Sequence, residues 1–254
     1  MKNIAVYSLS RRKPRPFTIP GLGDRLHTAM IAYRYSMTHD VPVRLHVTQK
    51  QFYNRPDKEK SWKEILSILP KGTVEIMPHP TGGTVFTDEE WLTYLRDKGF
   101  DDVELYWYKG PGTKPPHATL LADDYLSKFI PVPALDCSEN ITLPKKYMVE
   151  QWDSSDYNRC LNVMEVERVR AYYRSNGYEI ITVGGEGKNF HTKTSLKHIG
   201  YYLANCDVYC GVNSGFFHFA QWYLPMDKIK IYGRLPDPHF DRAQEYGAKL
   251  NELL

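Results

Sequence analysis

Apolar positions along this chain switch repeatedly between a period near two and a period near 3.6, the signature of strands alternating with helices. Ile4 to Leu9 is β-prone, and a helical pattern begins near Asp24, with Leu26, Ala29, Met30, Tyr33 and Met37 at helical spacing. Val43 to Val47 is strand-like again. Strand, helix, strand in that order is a βαβ unit, and it implies a parallel sheet. The stretch 61–108 repeats the alternation, with a helix over Trp62–Leu69, a strand over Val74–Met77, a helix over Glu89–Lys98 and a strand over Val103–Tyr108. The proline and glycine cluster Gly110–Pro116 then interrupts it.

A second alternating set follows. Its strands are expected at Tyr147–Gln151, Glu179–Val183, Val208–Val212 and Ile229–Tyr232. Its helices are expected at Val163–Ser175, closed by the C-cap signal Asn176-Gly177, around Ser195–Ala204, and at Gly215–Leu224. Between the two sets, Ile130–Pro144 holds three prolines and little periodicity. The pattern therefore predicts an α/β protein of two Rossmann-like lobes, 1–140 and 141–254. The tail Asp241–Leu254 reads as a terminal helix that packs back across the first lobe.

Composition changes this picture little. The 42% hydrophobic and 25% charged fractions are those of an ordinary globular protein. A net charge of +3, from 33 basic and 30 acidic residues, is too balanced to signal nucleic-acid binding by itself. The one dense basic run, Arg11, Arg12, Lys13 and Arg15, is either a solvated loop or an electropositive lip for a phosphate-bearing ligand. Cysteines 137, 160, 206 and 210 follow neither a CxxC spacing nor a disulfide framework, so they are expected reduced and buried. Met1–Leu9 has no cleavable-leader pattern and no apolar run approaches a membrane span, so the expected location is cytoplasmic.

The strongest chemical signal runs from Asn205 to Ala220, where a buried-type strand stops at Asn213, Ser214 and Gly215 and a helix starts at once. A helix N-terminus presents unpaired backbone N–H groups, and glycine lets a ligand approach them, so phosphate is the natural guest. His218 falls one turn beyond Ser214, in reach of an anion or a sugar hydroxyl. The alternative is that Ser214 only caps the helix and His218 packs among Phe216, Phe217 and Phe219.

A second signal is Pro20-Gly-Leu-Gly-Asp-Arg-Leu-His27, between the first strand and the first helix. Gly21 and Gly23 permit close approach of backbone to ligand, while Asp24 either caps the helix or acts as a carboxylate base. Arg25 and Arg34 are solvated helix residues or ligand contacts. Arg159, after the first strand of the second lobe, is an ordinary surface arginine or a diphosphate ligand through paired hydrogen bonds. Gly184-Gly185-Glu186-Gly187 ends a strand on the edge where open α/β sheets hold ligands, and Glu186 is either a loop acid or an acceptor for ribose hydroxyls. This turn is not GxGxxG, and no P-loop, HExxH or GxSxG pattern is present. The pairs Asp101-Asp102 and Asp123-Asp124 lack DxD spacing and read as solvated acids, so no metal is expected.

With these residues in view, the chain resembles the GT-B glycosyltransferases, and in particular the ADP-heptose:lipopolysaccharide heptosyltransferase group. The resemblance is clearest over 163–233, where the strand ending Thr182-Val-Gly-Gly-Glu186, the segment Ser195–Asp207 and Asn213-Ser-Gly-Phe-Phe-His218 occur in the family's order. It implies two parallel sheets facing across a cleft, Asp24 as catalytic base, and donor contacts from Glu186, Ser214, Gly215 and His218. Asn213 stands where the family motif has aspartate. Gly21-Leu-Gly-Asp-Arg-Leu26 is equally similar to the opening of fucosyltransferases related to the nodulation and O-fucosylation enzymes.

The function these readings imply is metal-independent transfer of a hexosyl or heptosyl group from a nucleotide-diphosphate sugar to an acceptor hydroxyl, with no cofactor. Asp24 would take the hydroxyl proton, and the Ser214–Gly215 turn with Arg159 would stabilise the departing diphosphate. The acceptor is a glycan, a lipid-linked sugar or a modified nucleic-acid base; the last would use the Arg11–Arg15 run to grip DNA. The rival class is a nucleotide-sugar-binding module without turnover.

Overall fold

In a computed structural model of the chain, the described residues are 1–6, 22–48, 56–80, 87–107, 118–121, 123–126, 128–139, 141–154, 159–184 and 195–232. They form two compact units, Met1–Ile130 and Pro131–Leu254. The division falls earlier than the boundary at 140 read from the sequence. The reason is local: Val132 is buried and its backbone N–H donates to the Trp222 carbonyl at 2.8 Å, which ties the proline-bearing segment to the second unit.

The first unit runs β1 (Lys2–Val6), α1 (Leu22–His39), β2 (Val43–Thr48), α2 (Pro56–Ser67), β3 (Val74–His79), α3 (Asp88–Asp97), β4 (Val103–Trp107), β5 (Ala118–Leu121) and α4 (Asp123–Leu126). Its five strands are all parallel, in the order β3-β2-β1-β4-β5. Helix α1 buries every residue from Arg25 to Ser36, so it is enclosed rather than one-faced, and Met37, expected on the packed face, is 49% exposed. Proline opens α2, where its missing N–H costs nothing. Thr87 and Glu90 close a reciprocal capping box on α3 at 3.0 and 2.7 Å, and Trp91, Leu92 and Leu95 carry its apolar stripe onto Ala5 and Leu105. Strand β5, which extends the sheet past β4, and helix α4 after it are hidden from the sequence pattern by the Gly110–Pro116 cluster. Asp102 is 85% exposed, the solvated acid expected, and takes a surface hydrogen bond from Lys2 Nζ at 2.9 Å.

The second unit runs β6 (Tyr147–Gln151), α5 (Val163–Ser175), β7 (Glu179–Thr182), α6 (Leu196–Asn205), β8 (Val208–Gly211), α7 (Gly215–Ala220), a short 3-10 turn (Met226–Lys228) and β9 (Ile229–Ile231). Its four strands are parallel in the order β7-β6-β8-β9. Asn162 and Glu165 form the capping box of α5, and Gly177 ends it at φ +79°, a conformation in which glycine alone is unstrained. The core joins Met148, Val169, Tyr173, Val208, Cys210 and Tyr232. Helix α7 is shorter than the expected Gly215–Leu224. Beyond Ala220 the backbone tightens into i→i−3 bonds, Trp222 N–H to Phe219 and Tyr223 N–H to Ala220, ahead of Pro225. The four cysteines form no disulfide; three are buried and Cys160 is half-buried. No helix among the described residues is long and apolar enough to cross a membrane. The expected terminal helix 241–254 lies outside the described residues.

Candidate functional site

In the second unit the strand order reverses between β6 and β8, because β7 adds beyond β6 and β9 beyond β8. Open parallel sheets hold ligands outside the carboxyl ends of their strands at such a reversal, where the following segments diverge and leave a crevice. Gln151 and Gly211 are register partners at that edge.

The side chains there are locked together. Ser214 Oγ donates to Gln151 Oε1 at 2.6 Å and accepts from the Phe216 N–H at 3.3 Å, which makes Ser214 the N-cap of α7. Gln151 Nε2 donates in turn to the Asp153 carbonyl. The Val212 N–H reaches the Gln151 carbonyl at 3.2 Å. A Cβ on Gly211 would come within 2.6 Å of both that carbonyl oxygen and the Tyr209 hydroxyl, so only glycine fits. Gly184, at φ +101°, turns the chain out of the β7 segment with its missing Cβ 3.2 Å from Gln151 Cγ.

On α7, His218 is 8% exposed and its ring centroid lies 5.1 Å from that of Phe217. Burial first, and then the nearby Arg159 charge, lower its pKa to about 4, so the imidazole is neutral near pH 7. Neutral imidazole offers one N–H donor and one acceptor, which suits hydroxyl groups better than bare charge pairing. Arg159 itself is half-buried on the segment between β6 and α5. Arg159, Asn213, Ser214, Gly215 and His218 thus gather at one edge of the second sheet; Asn213 is 3% exposed and Gly215 half-buried. Glu186 and Gly21 lie outside the described residues, as does the Arg11–Arg15 run.

In the first unit the order reverses between β1 and β4, and α1 follows β1, so its first turn stands at the equivalent edge. Gly23 and Asp24 are half-buried there, and the Asp24 carbonyl accepts from Thr28 Oγ1 at 2.8 Å. Arg25 is 6% exposed and Arg34 2%, neither of them a solvated helix residue. Arg34 Nη1 donates to the Tyr125 carbonyl at 3.0 Å, and burial lowers its pKa to about 10. His27, buried beneath the Asp24 turn, hydrogen-bonds the Tyr106 hydroxyl of β4 at 2.8 Å.

Three of these residues escaped the sequence reading. Gln151 is the second of two polar residues, after Glu150, that end β6, and its importance follows only from the strand order. Tyr209 looks like any core aromatic. His27 was visible inside the glycine motif, but its partner is 79 positions away. Among the described residues no group of three or more His, Cys, Asp or Glu side chains is arranged to hold a metal ion.

No protein-family model matches the sequence, and no curated protein matches it. Solved structures do resemble it. Escherichia coli ADP-heptose lipopolysaccharide heptosyltransferase II superposes with a TM-score of 0.55 at 11% identity, over 98% of this chain and 90% of that one. E. coli heptosyltransferase WaaC, solved with ADP, gives 0.51 at 13% identity over 94% and 89%. The dodecameric iron-containing glycosyltransferase TibC of enterotoxigenic E. coli gives 0.50 at 14% identity over 90% of this chain, which spans 57% of TibC's length. The chain therefore has the α/β fold, with two parallel sheets, found in these glycosyltransferases.

Proposed function

We propose that this protein is a metal-independent glycosyltransferase that moves a sugar from a nucleoside-diphosphate donor to an acceptor hydroxyl. The second unit holds the donor. Arg159 pairs with the diphosphate, His218 and Glu186 hydrogen-bond hydroxyls, and the Asn213–Gly215 turn brings backbone close to the leaving group. In the first unit Asp24 takes the proton of the acceptor hydroxyl, flanked by Gly23 and Arg25, with Gly21 proposed to contact the acceptor or phosphate.

One observation carries this reading: five residues chosen for their chemistry gather where the strand order of the second sheet reverses, in a chain whose fold resembles that of glycosyltransferases. The absence of DxD spacing from the sequence supports independence from a metal. The donor is a heptosyl or hexosyl nucleotide, and the acceptor a glycan or lipid-linked sugar.

Thermal-shift measurements with ADP-, GDP- and UDP-sugars test it, since a ligand that binds only the native form raises the apparent stability. One nucleotide series is expected to raise the melting temperature, and Asp24→Asn to abolish transfer while leaving that shift nearly intact. No shift with any series overturns the assignment. A second reading, binding without turnover, draws on Asn213 in place of the family's aspartate; a shift with neither transfer nor donor hydrolysis by the unaltered protein favours it.

A further inference from the structure

Gln151 is 1% exposed, yet its side chain joins three segments at the carboxyl edge of the second sheet. Its amide oxygen accepts from Ser214, on the segment after β8, at 2.6 Å. Its amide nitrogen donates to the Asp153 carbonyl, on the segment after β6. Its Cγ packs against Gly184, on the segment after β7, so closely that a Cβ there would stand at 3.2 Å. Below it lies the fully enclosed Tyr209 hydroxyl, which makes no hydrogen bond of ordinary geometry among the described groups. That hydroxyl stands beside Ser214 and 2.6 Å from the Cβ that Gly211 lacks.

A primary amide suits this post because it accepts and donates at once. Glutamate keeps the acceptor for Ser214 and loses the donor for Asp153; methionine keeps the shape and loses both. A side chain this enclosed acts on a ligand through its neighbours.

We propose that Gln151 is the positioning residue of the donor site, holding Ser214 and the three segments around the strand reversal in the arrangement that receives a nucleoside diphosphate. This rests on the reading of the second unit as the donor-binding half. Gln151 orients the Ser214 hydroxyl by accepting its hydrogen bond. The Ser214 lone pairs are thereby turned toward the Phe216 N–H and the start of α7.

The test uses the full chain, titrated calorimetrically with ADP, GDP and UDP, and kinetics with the matching sugar donor. Gln151→Glu and Gln151→Met are expected to raise the nucleotide Kd and the donor KM by roughly tenfold, the worth of about one hydrogen bond, while kcat at saturating donor changes far less. Ser214→Ala should reproduce the effect, and Gln151→Met with Ser214→Ala should bind no worse than either alone, because the two act as one unit. Variants of unchanged Kd, or losses that simply add in the double variant, overturn the role. Failure of the unaltered protein to bind any of the three nucleotides overturns the donor-unit reading itself, and this inference with it. Should Gln151→Met not fold, Gln151→Glu and Ser214→Ala supply the same comparison.

Discussion

Arg170 of α5 grips Glu150 of β6, a carboxylate with no solvent exposure at all, through Nε at 2.9 and 3.1 Å and a further bond from Nη2. Thr182 Oγ1 on β7 donates to the same carboxylate at 2.7 Å, so helix and two strands meet at one buried charge. The hydrogen bonds to Glu150 raise the Arg170 pKa, which keeps the guanidinium charged at any pH at which the protein folds.

Removing the cation should therefore be costly. Arg170→Met strands an enclosed carboxylate, and the expected loss is about 3–5 kcal/mol by urea denaturation. Replacing both partners with apolar residues should cost clearly less. By contrast, Arg174→Ala, which breaks only the exposed 3.5 Å pair with Glu167, should cost less than about 1 kcal/mol.

Acid should weaken both units. Burial, then the neighbouring His79 and Arg44, lower the His46 pKa to about 4; burial and Lys98 lower that of His79; His218 falls to about 4 as described. With both first-unit rings neutral the bonds are satisfied by His46 Nε2–H donating to Asn3 Oδ1 at 3.0 Å and His79 Nε2–H to His46 Nδ1 at 2.8 Å. The unfolded chain protonates near pH 6.5, above the folded values, so it binds more protons between about pH 6.5 and 4. Stability is fully present above that window and is lost through it. The loss is on the order of 3 kcal/mol for a histidine shifted this far. Denaturation midpoints measured from pH 7.5 to 4 should fall; a flat profile would mean these rings are open to water.

Gly211→Ala should disturb the crevice directly. The added methyl meets a backbone oxygen and an enclosed phenol, neither of which can swing aside, and overpacking of this kind costs about 1–3 kcal/mol. A melting-temperature drop accompanied by weaker nucleotide binding is the expected pair of results.

Asn162→Ala removes an oxygen that accepts from the Glu165 N–H at 2.9 Å and should cost about 1 kcal/mol. Far-UV circular dichroism during denaturation will report it. Nucleotide affinity should be unaltered.

The alternating architecture was legible because most helices bury a stripe and the inner strands of a parallel sheet, buried on both faces as Tyr147–Gln151 is, open on apolar runs such as Tyr147-Met-Val149. Helix ends were legible too, through Asn176-Gly177. Short elements were not: β5 has four residues and follows a proline cluster, too brief to show any period. Met37 continued the helical spacing past the point where α1 leaves the core. At the site, Ser214 and His218 stood out by local pattern, whereas Gln151 did not, because a strand end gains meaning only from which strands flank it. The His27–Tyr106 bond was likewise hidden, being a contact between distant stretches.

Every strand of the first sheet lies between Lys2 and Leu121, and every strand of the second between Tyr147 and Ile231. Among the described residues neither sheet borrows a strand from the other. During synthesis every described strand of the first sheet is therefore made before the initial described strand of the second. Each can close in turn on its own core, with no long-range pairing waiting for the end of translation.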